Sequence, residues 1–186
     1  MRYIDMFLKL KTAGELLDLK VFPNAKEITE SLGAYYACKT VIPFRLDDPD
    51  VYCYIIGDGH TPRTGILFAR MSAWNIFSID PIMRLKDYKT QRLTLLKNYM
   101  QDIKLKSPTG KAVIVAVHSH ANPTDCINNI EAKQKWFVEI PCCFPPLENH
   151  DDDLSRCFED KSILSQKNKV YIYNLSSKKW RNKWIG

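Results

Sequence analysis

Apolar residues come in short blocks along this chain, and the stretch from 52 to 81 (YCYIIGDGHTPRTGILFARMSAWNIFSIDP) sets the pattern for the rest. Residues 52–56 form an apolar run with no room for a helix before Gly57, so they predict a buried strand. The turn Gly57-Asp58-Gly59-His60-Thr61-Pro62 ends it. Gly57 and Gly59 allow backbone angles or a close approach that a Cβ would block, and Pro62 suits a loop exit or a first helical turn. Ile66, Leu67, Phe68 and Ala69 continue at helical spacing, and Ile76, Phe77 and Ile79 predict a second strand that stops at Asp80. The order strand, turn, helix, strand is that of a βαβ unit.

The same reading extends in both directions. Residues 92–96 predict a third strand, and 112–117 (AVIVAV) form the continuous, partly β-branched run expected at the centre of a parallel sheet. Residues 136–140 predict the next strand. The acidic stretch 149–153 predicts a helix start, with Leu154, Phe158 and Leu164 on the apolar side of that helix. Residues 170–173 alternate as a strand, and 180–185 predict its hairpin partner. Toward the N-terminus, Asn24 followed by Glu27 reads as a helix start, and Ile28, Leu32, Tyr35 and Tyr36 predict a helix over 25–38. Residues 7–19 are a weaker helical segment interrupted by Gly14, and 46–50 (LDDPD) read as a loop. The expectation is an α/β fold with a mostly parallel central sheet, helices on both faces and a C-terminal antiparallel hairpin. Residues 1–50 would be an N-terminal helical extension packing on the sheet, and residues 51–186 the Rossmann-like domain.

Composition narrows the class. A chain of 186 residues is the size of one domain and buries roughly 70% of its unfolded surface without staples. Its six cysteines are scattered and contain no CxxC pair, which points to reduced thiols rather than a disulfide framework. Asp5 and Lys9 interrupt what would have to be an apolar signal core, and no stretch reaches the length of a membrane span, so an intracellular protein, cytoplasmic or nuclear, is expected. A net charge of +6 favours an anionic partner. Lys178, Lys179, Arg181 and Lys183 interleave with Trp180 and Trp184, a composition that suits phosphates and stacked bases and makes RNA the candidate partner. A lysine-protected edge strand accounts for the same residues.

Ligands of open α/β sheets bind outside the carboxyl ends of the strands, where the Gly turn and Asp80 should both sit. The interval from Asp58 to Asp80 also fits a nicotinamide dinucleotide site. The Gly turn and the acidic strand end resemble motif I and the second-strand acid of class I S-adenosylmethionine-dependent methyltransferases. That resemblance implies a cofactor contact for Gly57, Asp58, Gly59, Thr61, Arg63 and Thr64, the ribose hydroxyls on Asp80, and Tyr99 at the adenine position, where the family usually has an acid.

A second cluster sharpens the resemblance. His118-Ser119-His120-Ala121-Asn122-Pro123-Thr124-Asp125 follows one predicted strand, and Pro141-Cys142-Cys143 follows the next. His118, Thr124, Asp125, Pro141, Cys142 and Cys143 match at the same spacing a subgroup that includes the eukaryotic tRNA acceptor-stem ribose methyltransferases, and His120 stands where that subgroup has a cysteine. The resemblance implies methyl transfer from S-adenosylmethionine to RNA, another nucleic acid or protein. His118 or Asp125 is then the candidate base, and Cys142 lies in the same catalytic crevice. A non-catalytic methyltransferase-fold binding protein is the other reading, supported by the altered motif I and the Tyr99 replacement. His118, His120, Cys142 and Cys143 are also zinc-type donors, but adjacent cysteines are expected to be poor joint ligands, so no metal is assigned.

Overall fold

In a computed structural model the described residues are 2–143 and 145–176. The apolar blocks become the middle of a seven-stranded sheet. Its strands are β1 (Val51–Ile56), β2 (Asn75–Ile79), β3 (Leu93–Leu96), β5 (Lys111–Val117), β7 (Gln134–Ile140), β8 (Leu154–Glu159) and β9 (Lys169–Asn174). They lie in the order β3-β2-β1-β5-β7-β9-β8. All neighbours from β3 to β7 are parallel, whereas β9 runs antiparallel to both β7 and β8. A separate parallel pair, β4 (Leu105–Lys106) with β6 (Ile130–Glu131), has no precedent in the sequence pattern. Strands β1 and β5 lie in the interior of the sheet and are apolar almost throughout, as a strand covered on both faces must be.

One face is covered by α1 (Tyr3–Leu8), α2 (Ala13–Asp18), α3 (Ala25–Val41) and α4 (Arg63–Met71). Helix α3 starts where the Asn24 side chain accepts the Glu27 N–H at 3.0 Å. It is sandwiched rather than amphipathic: Leu32, Ala34, Tyr35 and Cys38 join Val113, Val115, Val138 and Ile172 of the sheet in one core. Leu32 alone contributes about 1.5–3 kcal/mol by leaving water. The loop after β8 crosses α3, with Ile163 buried against Gly33 and the Leu164 N–H donated to Thr29 Oγ1 at 3.0 Å. The opposite face has a thinner cover, chiefly α5 (Pro123–Asn128), the β4–β6 pair and the 3-10 turn Met100–Asp102. No helix among the described residues is long and apolar enough to cross a membrane.

Two sequence expectations are corrected here. The helical segment over 7–19 is two helices, α1 and α2, joined by a turn at residues 9–12 that lets Phe7 and Leu16 enter the same core. The helix expected after 149–153 is the edge strand β8. Leu154 and Phe158 are four apart, which places them on one side of either a helix or a strand, and only pairing with β9 breaks the tie. The terminal antiparallel hairpin is therefore β8–β9, while residues 180–185, together with Lys178, Lys179, Arg181, Lys183, Trp180 and Trp184, lie outside the described residues.

The turn after β1 gives a stability prediction. Gly57 has φ +73°, and a Cβ there would overlap the Ser119 hydroxyl and lie 3.0 Å from Ser119 Cα. Gly59 has φ +76° but would meet nothing nearer than Arg63 Nη1 at 3.5 Å. Gly57→Ala should therefore cost roughly 2–4 kcal/mol, combining the left-handed backbone with overpacking, against about 1–2 for Gly59→Ala. Urea unfolding of the two variants checks the ranking; equal losses would mean that Ser119 yields freely.

Candidate functional site

The sheet order reverses between β1 and β5, because the chain leaves β1 toward β2 and β3 and then returns on its other side. A crevice must open at the carboxyl ends of the strands there. It does: a cleft of about 750 Å³ is lined by Gly57, Gly59, Asp80, Tyr99, His118 and Asp125, with His120, Asn98, Gln101 and Asn122 around them. Six predicted site residues from four separate chain segments thus meet in one place.

Asp80 ends β2 and fastens the Gly turn. Its Oδ2 accepts the Gly59 N–H at 2.8 Å and its Oδ1 accepts the Ile82 N–H at 2.9 Å. Each carboxylate oxygen retains a further lone pair for a ligand. The Cβ-free face of Gly59 and the exposed ring of Tyr99 border the same space.

Asp58 is not a cleft residue. Its carboxylate is buried beneath the turn, where Oδ1 accepts the Thr64 N–H at 2.9 Å and Oδ2 accepts the Gly65 N–H at 2.8 Å and the Ser78 hydroxyl at 2.7 Å. It serves as the cap that Pro62 cannot provide for α4. Burial pushes its pKa up to about 6, against the pull of those donors. Arg63 and Thr64 also face away from the large cleft. They line a smaller hollow of about 190 Å³ with Asp58, Glu30 and Lys26, where Arg63 Nη1 meets Glu27 Oε2 at 3.3 Å and Thr64 Oγ1 meets Ser31 Oγ at 3.0 Å. Thr61 lines neither space; its carbonyl accepts the Arg63 N–H.

His118 sits in the left-handed region at φ +49°, a conformation costly for a non-glycine residue, fastened by its N–H to the Ile140 carbonyl at 2.9 Å. The strained turn aims the ring between the two hollows. Its Nε2 is 3.1 Å from Glu30 Oε1, an ion-pair distance, although the ring N–H is not directed along it. Burial raises the Glu30 carboxyl, but the His118 ring and the Lys26 ammonium beside it outweigh burial and hold it below the ordinary range. The sequence reading missed Glu30. The available signal was a carboxylate between Ile28 and Leu32 on a helix that is otherwise core.

Cys142 lies outside the large cleft, in a narrow recess with Ala116, Cys126 and Glu139. Its thiol is directed to the His118 carbonyl at 3.4 Å, and burial, then neighbouring Cys143, raise its pKa. Cys142 Sγ and Cys143 Sγ are 3.4 Å apart, and Cys143 Sγ is 3.6 Å from His120 Nε2. Adjacent cysteines point to opposite faces in a regular strand, but these two follow β7 in a bend that turns both sulfurs to one side.

No family model matches the sequence, and no curated protein matches it. Solved structures do. A point mutant of MtNAS in complex with S-adenosylmethionine aligns with a TM-score of 0.53 at 10% identity, covering 94% of this chain and 71% of that one. MtNAS in complex with MTA and tNA gives 0.49 at 11% identity over 92% and 68% of the two chains. A SAM-dependent methyltransferase from Aquifex aeolicus gives 0.48 at 10% identity over 85% and 96%. The fold, a mostly parallel sheet with helices on both faces and antiparallel strands at one edge, is shared with the MtNAS mutant solved with S-adenosylmethionine. Similarity at this identity speaks to fold and not to substrate.

Proposed function

We propose that this chain binds S-adenosylmethionine in the cleft between β1 and β5 and transfers its methyl group to an acceptor, RNA rather than protein. The observation that carries the reading is the convergence of Gly59, Asp80 and Tyr99 on a cleft of ligand size at the switch point of a methyltransferase fold. The neighbour of the same fold that was solved with S-adenosylmethionine supports it.

The residues present suit the cofactor. Asp80 has lone pairs left for two ribose hydroxyls, Gly59 admits close approach, and the Tyr99 ring offers a stacking surface for adenine. Asp58, Arg63 and Thr64 act on the cofactor only through the turn that they hold. When bound, S-adenosylmethionine supplies an electrophilic methyl group on a sulfonium. The chain then contributes orientation and exclusion of water, and these account for most of what such a displacement needs.

A ribose hydroxyl acceptor must also lose its proton. His118 is the base best placed by this geometry: its ring borders the cleft, and the Glu30 carboxylate 3.1 Å from its Nε2 can steady the imidazolium that forms when it takes the proton. Asp125, on the first turn of α5 at the lip of the cleft, is the other carboxylate within that space. The finer kinship with tRNA acceptor-stem ribose methyltransferases rests on the spacing of His118, Thr124, Asp125, Pro141, Cys142 and Cys143. RNA as acceptor rests on that kinship, on the net charge of +6 and on the basic segment with Lys178, Lys179, Arg181 and Lys183.

Incubation with S-adenosylmethionine carrying a labelled methyl group, offered tRNA and a mixed protein pool in parallel, tests the reading. Label in RNA is expected, lost in His118→Ala. Label in protein alone would transfer the assignment to a protein acceptor, and cofactor binding without any transfer would favour a binding protein.

A further inference from the structure

We propose that His120, Cys142 and Cys143 form a zinc site with an open fourth position at the wall of the large cleft. The register of the sheet brings them together. Val117 of β5 is paired with Ile140 of β7, so residues three beyond each strand end, His120 and Cys143, emerge side by side. The ligand atoms Nε2, Sγ and Sγ all lie within 4.8 Å of one another.

The separations are those of a coordination sphere. Bonds of about 2.3 Å to sulfur and 2.0–2.1 Å to nitrogen, arranged tetrahedrally, place two sulfurs about 3.8 Å apart and a sulfur and nitrogen about 3.6 Å apart. The observed values are 3.4 Å between the sulfurs and 3.6 Å between Cys143 Sγ and His120 Nε2. A sub-ångström adjustment, with His120 and Cys143 exposed and Cys142 half-buried, admits the ion. One imidazole and two thiolates are borderline-soft donors that favour zinc over magnesium or calcium. Zinc forms three bonds, two to sulfur and one to nitrogen, while the two thiol protons pass to solvent. Charge then balances within the site, and the ion takes up the repulsion of two adjacent thiolates.

The fourth position faces outward. His120 and Cys143 are exposed and His120 also lines the cleft, so a water or a ligand atom entering the cleft can complete the tetrahedron. Three protein ligands with one open place is the pattern of a catalytic rather than a structural zinc.

The metal-free, reduced chain titrated with cobalt(II) tests this site without reference to methyl transfer. A thiolate-to-cobalt charge-transfer band saturating at one ion per chain, bleached by added zinc, is expected. His120→Ala and Cys143→Ser should each weaken zinc by more than about tenfold, whereas Cys157→Ser, an exposed cysteine outside the cluster, should not. Zinc should also protect Cys142 and Cys143 of the unmutated chain from alkylation. No charge-transfer band, the same affinity in the His120 and Cys143 variants, or alkylation unaffected by zinc would overturn the site.

Discussion

Asp80→Asn should remove most of the affinity for S-adenosylmethionine while leaving the chain folded. The substitution keeps one oxygen to accept from the Gly59 or Ile82 N–H, so the turn loses one of its two fastenings. The ribose contact suffers more. A carboxylate offers charge-assisted acceptors worth about 1.5–3 kcal/mol each, and a neutral amide offers one weaker acceptor. If two such bonds are made, their loss reduces affinity by roughly a hundredfold or more. In the parent, ligand at 100 times its dissociation constant stabilises the fold by about 2.7 kcal/mol, a rise in Tm of roughly 5–10 °C for a chain of this size. In Asp80→Asn that rise should nearly vanish. Calorimetry and a thermal shift with cofactor and with its demethylated product read both quantities. An unchanged dissociation constant would remove Asp80 from the site, and with it the assignment of the cleft.

The part of the fold that carries this site was legible because buried parallel strands write their own signature. β1 and β5 are nearly continuous apolar runs, Gly57 and Gly59 mark the end of β1, and Asp80 marks the end of β2. What a single sequence could not separate was the work of its two acids. Asp58 and Asp80 both follow apolar strands, yet one caps the first turn of α4 and the other fastens the loops at the cleft, a choice set by which backbone N–H groups lack partners. Glu30 was hidden for a different reason: its meaning depends on His118, 88 positions away and joined to it only by the packing of α3 on the sheet. His120 and Cys143 likewise become neighbours only once β5 and β7 are in register. β8 failed because its apolar spacing satisfies two periods at once and an edge strand exposes most of its residues.

The two acids should therefore fail differently. Asp58→Ala is expected to cost roughly 2–5 kcal/mol of stability, a large part of the 5–15 typical of a domain. It strands the N–H groups of Thr64 and Gly65 and the Ser78 hydroxyl in a dry interior, each at about 1–3 kcal/mol, less the relief of no longer burying a charge. The same burial fixes the sign of a pH effect. The folded carboxyl titrates near 6 against an ordinary 3.8, so between these values the folded chain holds a proton that the unfolded chain has released. The contribution of Asp58 to stability is therefore greatest below about pH 4, falls as pH rises toward 6 and is constant above, a span of roughly 3 kcal/mol. Asp58→Asn has no proton to lose and should lack this component, so the parent should gain on the variant as pH is lowered from 7 to 4.5. Urea midpoints of both proteins across that range decide it. Parallel profiles would mean that the donors of α4 and Ser78 hold the carboxylate ionised throughout, and that the cap works as a permanent charge.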